Sequence, residues 1–215
     1  MTARVLIADD HDLVRAGVRR LLEELDCTVV GEAASGEEAV RQVRTLEPDI
    51  AFVDIQMPGI GGLEACQRMR RFVPDCRVII LTAHGEGPLP RALLESGVAG
   101  FLTKGCALDE MRQAIHKALS GERYVSNDVA QRLALDAVAG ATDSPFDRLT
   151  RRELQCALMM VSGDANRDIA AALQISPKTV ATYRKRILDR MEIRTLSDLV
   201  RLAIQHNLIS SDRSA

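Results

Sequence analysis

A chain of 215 residues, 47% hydrophobic and 27% charged, suits one medium and one small globular domain. Aromatic residues are only 3% of the chain and Trp is absent, so the cores must be aliphatic, and a base-stacking reader of single-stranded nucleic acid is disfavoured. The net charge of −2 divides unevenly: residues 1–120 hold 14 Lys/Arg against 18 Asp/Glu, residues 121–147 hold 2 against 5, and residues 148–215 hold 12 against 7. An acidic front and a basic tail direct the last third toward a polyanion.

No stretch reaches the length of a membrane span, and the start, Met1-Thr2-Ala3-Arg4 with a short apolar run and two aspartates, is not a signal peptide. The five cysteines are dispersed and form no CxxC pair, as expected of reduced thiols in the cytoplasm.

Along the chain, short β-rich runs alternate with amphipathic stretches. The runs are Val5-Leu6-Ile7-Ala8, Thr28-Val29-Val30, Ile50-Ala51-Phe52-Val53, Val78-Ile79-Ile80-Leu81 and Gly100-Phe101-Leu102. After the first, Leu13, Val14, Gly17, Val18, Leu21, Leu22 and Leu25 share one helical side. Ser35 with Glu38 reads as a capping box, and Pro48 follows the end of that helix. Five βα units in series predict an α/β fold with a doubly wound, five-stranded parallel sheet over residues 1–120. Residues 121–147 read as a linker with a helix over 126–138, and residues 148–213 as a small all-α domain. Its helices are predicted near 150–162, 166–173, 177–191 and 195–206, with Thr150, Asn166 and Ser176 as N-caps, Glu153 completing a capping box and Pro177 in a first turn.

Ligands of open α/β sheets bind at the carboxyl ends of the strands. Asp9 and Asp10 end the first strand, Asp54 the third and Thr82 the fourth, while Lys104 follows the fifth. Converging carboxylates repel one another unless a cation joins them, and an all-oxygen set suits Mg²⁺. Lys104 and Thr82 suit phosphoryl oxygens.

In the tail, Val180, Ile187, Leu188 and Met191 space as an inward helix face, with Lys178, Ala181, Thr182, Lys185, Arg186 and Asp189 outward. A basic outer face behind the tight Gln174-Ile175-Ser176 turn suits a DNA major groove.

Asp9-Asp10, Asp54, Met57-Pro58-Gly59, Thr82-Ala83 and Lys104 resemble the receiver domain of two-component regulators, a flavodoxin-like fold. The resemblance implies that Asp54 accepts a phosphoryl group from a sensor histidine kinase. It also implies that Asp10, Asp54 and the Gln56 backbone carbonyl hold Mg²⁺ directly, with Asp9 acting mainly through water. Thr82 and Phe101 would form a switch altering the surface of the fourth helix, fifth strand and fifth helix, with Pro88 and Pro90 fixing the start of that fourth helix.

Leu149-Thr150-x-Arg152-Glu153, Asn166-Arg167-Asp168-Ile169-Ala170 and Ser176-Pro177-Lys178-Thr179-Val180 resemble the LuxR-type helix-turn-helix of NarL/FixJ regulators. Asp10-His11-Asp12-Leu13-Val14-Arg15, Met57 to Glu64, Ser144-Pro145-Phe146-Asp147 and Thr182-Tyr183-Arg184 resemble the GacA/UvrY-type branch of global activators. Two positions depart from the family pattern, Ala181 and Ala165. The resemblance implies base readout by Thr182 and Lys185, with Ala181 at most touching a thymine methyl. Lys178, Thr179, Tyr183 and Arg186 are then phosphate contacts. Implied partners are a sensor histidine kinase, double-stranded promoter DNA and a second copy on DNA, with no membrane. A Mg²⁺-dependent phosphotransferase or phosphatase, and a DNA-binding protein with a phosphate-independent docking module, stand as alternatives to a transcription factor that is not a turnover enzyme.

Overall fold

The computed structural model describes residues 2–82, 97–127, 130–131, 144–206 and 208–209, which fall into two compact units. The first runs β1 (Arg4–Ala8), α1 (Asp12–Glu24), β2 (Thr28–Ala33), α2 (Gly36–Leu46), β3 (Ile50–Asp54), α3 (Gly61–Phe72), β4 (Arg77–Thr82), β5 (Gly100–Thr103), α4 (Leu108–Leu119) and β6 (Tyr124–Val125). Its strands form one parallel sheet in the order β2-β1-β3-β4-β5-β6.

Every residue of β3 is buried, as a central strand covered on both faces requires. Val5, Ile7, Phe52, Ile79, Leu81 and Leu102 pack with Val18 and Leu22 of α1 and with Met111 and Ile115 of α4. The alternate strand residues face the other way, where α2 and α3 pack together.

The sheet has six strands where five were expected. Tyr124 N–H donates to Ala99 O at 2.9 Å and Ser126 N–H to Phe101 O at 3.2 Å, so the chain past residue 120 adds an edge strand. Two residues are too short a run to show alternation. In α1 the inward stripe is narrower than expected. Val18 and Leu22 are buried and Val14, Leu21 and Leu25 pack at the margin, but Gly17 is exposed, as is Leu13 at 86%. The box at α2 closes by half: Ser35 Oγ accepts Glu38 N–H at 3.3 Å, while Glu38 reaches past it to Ala34 N–H at 3.1 Å.

The second unit comprises a 3-10 turn (Pro145–Arg148), α5 (Arg151–Val161), α6 (Asn166–Leu173), α7 (Pro177–Arg190) and α8 (Leu196–Gln205). Ser144 and Asp147 cap the 3-10 turn reciprocally and put Phe146 in the core, so these residues, read as the end of a linker, belong to the packed unit. Thr150 with Glu153 and Thr195 with Asp198 form capping boxes. Asn166 is not an N-cap. Ala165 takes that position in extended conformation, without a side-chain bond, and Asn166 is the first helical residue. Pro88, Pro90 and most of the expected 126–138 helix lie outside the described residues.

Candidate functional site

Asp9 follows β1, Asp54 ends β3 and Lys104 follows β5, all at the carboxyl end of the sheet. Lys104 Nζ lies 2.8 Å from both Asp9 Oδ2 and Asp54 Oδ2. Gln56 N–H donates to the other Asp54 oxygen, Oδ1, at 3.0 Å. The Asp9 side chain is sealed from solvent, Asp54 nearly so, and Asp10 keeps 18% exposure. One ligand atom each from Asp9, Asp10, His11 and Asp54 falls within a span of 4.8 Å.

Burial pushes the Asp54 carboxyl above its usual range; Lys104 pulls it down and Asp9 pushes it up again. Burial works against the Lys104 ammonium, but Asp54 and Asp9 outweigh it and hold the lysine above its ordinary value. Three carboxylates converge here, and the Lys104 ammonium pairs with two of them, Asp9 and Asp54. The clustered carboxylate oxygens fit a hard divalent cation such as Mg²⁺.

The backbone around Asp54 leaves little freedom. A Cβ on Gly62 would collide with the Asp54 carbonyl, and Gly62 N–H donates to Ile55 O at 3.0 Å. Gly59, at φ +79°, turns the loop where any Cβ would meet the Glu37 carboxylate, which accepts Ile60 N–H at 3.0 Å.

In the second unit, α6 ends on Gln174 in left-handed conformation, and Ser176 begins α7 by accepting Thr179 N–H at 3.0 Å, with Pro177 in the first turn. Val180 and Ile187 are fully buried and Leu188 half-buried, while Lys178, Ala181, Thr182, Arg184, Lys185 and Arg186 are exposed. Thr179 and Tyr183 are half-buried at the margin. Thr182 Oγ1 donates to Lys178 O at 3.0 Å, leaving its lone pairs and methyl on the outer face. Arg190 donates to buried Glu153 and to Arg148 O, tying the end of α7 to the start of α5.

The response regulator receiver domain family matches residues 5–116, and the luxR family of bacterial regulatory proteins matches residues 147–203. Response regulator GacA of Pseudomonas protegens is 46% identical over 209 residues, 97% of this chain and 98% of the relative. Response regulator UvrY of Escherichia coli K12 is 45% identical over 210 residues, 97% and 96% of the two chains. The chain belongs to the response regulators with a LuxR-type DNA-binding domain. RcsB of Salmonella enterica, solved on the promoter rprA with phosphomimetic BeF3-, shares the regulator's fold, with a TM-score of 0.76 at 24% identity, over 94% of this chain and 98% of that one.

In this response regulator, Asp9, Asp10, Asp54, Gln56 and Lys104 come together. Thr82 ends β4 in register with Thr103, beside Lys104; Ala83 lies outside the described residues. Phe101 is fully buried in β5, with the Arg123 guanidinium 5.4 Å from its ring centre. His11 was missed as a pocket residue. Its Nδ1 lies 3.0 Å from Asp10 Oδ1 and 3.2 Å from Asp9 Oδ1, and the sequence marked it only as part of the run from Asp10 to Arg15.

Proposed function

We propose that this response regulator is switched by phosphorylation of Asp54. The observation that carries the reading is the Asp54 carboxylate held between Lys104 Nζ and Gln56 N–H, beside two further carboxylates. One carboxylate oxygen attacks the phosphorus of a kinase phosphohistidine; the O–P bond forms as the P–N bond breaks, and the electron pair leaves on the imidazole. Asp10, Asp54 and the Gln56 carbonyl would hold Mg²⁺, which supplies charge neutralisation at the transferring group. Asp9 anchors Lys104 and would help hold the metal, through water. Lys104 offers its ammonium to the phosphoryl oxygens, so positioning and electrostatics do the work.

In this reading the first unit is the receiver, and residues 148–213 read double-stranded promoter DNA as a homodimer that activates transcription. Lys178, Thr179, Tyr183 and Arg186 meet phosphates, while Thr182 and Lys185 meet base edges, with Ala181 beside them. Thr82 follows the phosphoryl group, and the buried Phe101 is the inward setting of the switch. A cytoplasmic location suits the partners, and no helix among the described residues is long and apolar enough to cross a membrane.

The test is to treat the full chain with Mg²⁺ and a small acyl phosphate. One phosphoryl group should be gained and promoter affinity should rise, and Asp54→Asn should abolish both effects. A label retained by Asp54→Asn would reassign the nucleophile, and equal promoter affinity with and without phosphorylation would make the receiver a docking module.

A further inference from the structure

Consecutive residues of an extended strand point to opposite faces. Asp9 and Asp10 nevertheless bring their carboxylates to the same 4.8 Å cluster, so the backbone must leave the strand path between them, and Asp10 lies at a bend. The amide of Asp9 is still in the sheet, donating to Ala33 O at 3.1 Å. Its carbonyl is held differently: Arg15, one turn into α1, donates Nη1–H to Asp9 O at 2.7 Å.

The Arg15 guanidinium is itself fixed. Its Nε donates to Glu32 Oε2 in β2 at 3.3 Å, its Nη2 pairs with Asp12, and only 14% of the side chain is exposed. Arg19 braces the same carboxylate, donating to Glu32 Oε1 at 2.6 Å. A planar guanidinium presents several donors in fixed directions and so grips a carbonyl and a carboxylate at once, which a lysine ammonium does less well.

We propose that Arg15, braced by Glu32, is a positioning residue of the acidic pocket: it pins the Asp9 carbonyl, sets the Asp9–Asp10 peptide and thereby aims Asp10 at the cation. The inference rests on the reading of the pocket as a Mg²⁺ site. Arg15 touches neither the metal nor the phosphoryl group; it acts through the backbone, as residues behind metal ligands commonly do, where substitution costs about 10- to 100-fold in metal affinity.

The experiment is calorimetric titration of the full chain with Mg²⁺ alone, alongside thermal unfolding of the metal-free protein. Arg15→Ala should weaken Mg²⁺ binding by about 10-fold or more, and Arg15→Lys should recover part of the loss. Glu32→Gln should weaken binding less than Arg15→Ala, and the double variant should be no worse than Arg15→Ala alone, because both act through one contact. In phosphorylation by an acyl phosphate, the Mg²⁺ needed for half-maximal labelling should rise while the ceiling at saturating Mg²⁺ stays. Lowered melting temperature with unchanged Mg²⁺ affinity, in Arg15→Lys or Glu32→Gln if Arg15→Ala does not fold, would reduce Arg15 to a structural strut. Failure of the unsubstituted protein to bind Mg²⁺ would overturn the metal reading itself, and it would be visible before any variant is made.

Discussion

Glu153 and Arg190 are 37 residues apart in sequence, and their side chains meet at 2.8 Å. The same Glu153 Oε2 accepts Thr150 N–H at 2.9 Å and the Thr150 hydroxyl at 2.7 Å, so one buried carboxylate starts α5 and anchors the end of α7. Replacing Glu153 with Ala removes a cap and a charge-assisted bond, and we expect a loss of about 2 kcal/mol. The denaturant midpoint of the full chain measures it, and an unchanged midpoint would show that the carboxylate is dispensable.

Gly62→Ala is expected to disturb the first unit at Asp54. The added methyl meets the Asp54 carbonyl, which is backbone and cannot swing aside. Overpacking of this kind costs about 1–3 kcal/mol, and both the unfolding midpoint and phosphoryl labelling should fall. Labelling at the unsubstituted level would show that the loop yields without moving the carboxylate.

His206 gives the second unit a pH dependence. Its ring meets Phe146 edge-on at 5.9 Å between centroids, and burial holds its pKa below the usual value, with Asp147 opposing. The unfolded chain therefore binds a proton more readily than the folded one. The contribution is whole above the unfolded pKa of about 6.5 and is lost as pH falls through that value toward the folded one. His206→Asn should flatten the stability profile below about pH 6.5; a profile of the same slope would assign the dependence to other groups.

Lys178→Ala should weaken binding to every duplex alike and reduce the salt-dependence slope by about one. Lys185→Ala should instead change which sequences are preferred. A loss at one base position from Lys178→Ala would exchange their roles.

Burial raises the Cys66 and Cys76 thiols to about 12 and Cys106 and Cys156 to about 11. At pH 8 about one in a thousand of the latter and fewer of the former are thiolate. A thiol reagent should label these four slowly on the folded protein and quickly in denaturant; rapid native labelling would reveal local opening.

The βα alternation made Asp9, Asp54 and Lys104 legible as one site, because strand ends in a parallel sheet converge whatever the loops do. The exposed basic face of α7 was legible for the same kind of reason: helical spacing decided which of Lys178, Val180, Lys185 and Ile187 turn inward. His11 was not, since a single loop histidine has no periodicity. Neither was β6, which has only two residues, nor the pairing of Glu153 with Arg190, which depends on how two helices meet. Leu13 was misplaced because the stripe on α1 was read too wide: at 3.6 residues per turn Leu13 lies roughly opposite Leu22 on the helix.

The helices of the second unit carry several of their own start signals, at Thr150, Ser176 and Thr195, whereas β1 must find β3 in the register Val5 to Ile50. Short-range contacts form in microseconds to milliseconds and distant strand pairings more slowly. The slower unit emerges first from the ribosome, and at about 5–20 residues per second the rest of the chain takes several seconds to follow. Synthesis order thus gives the sheet time to close before the quick helical unit appears.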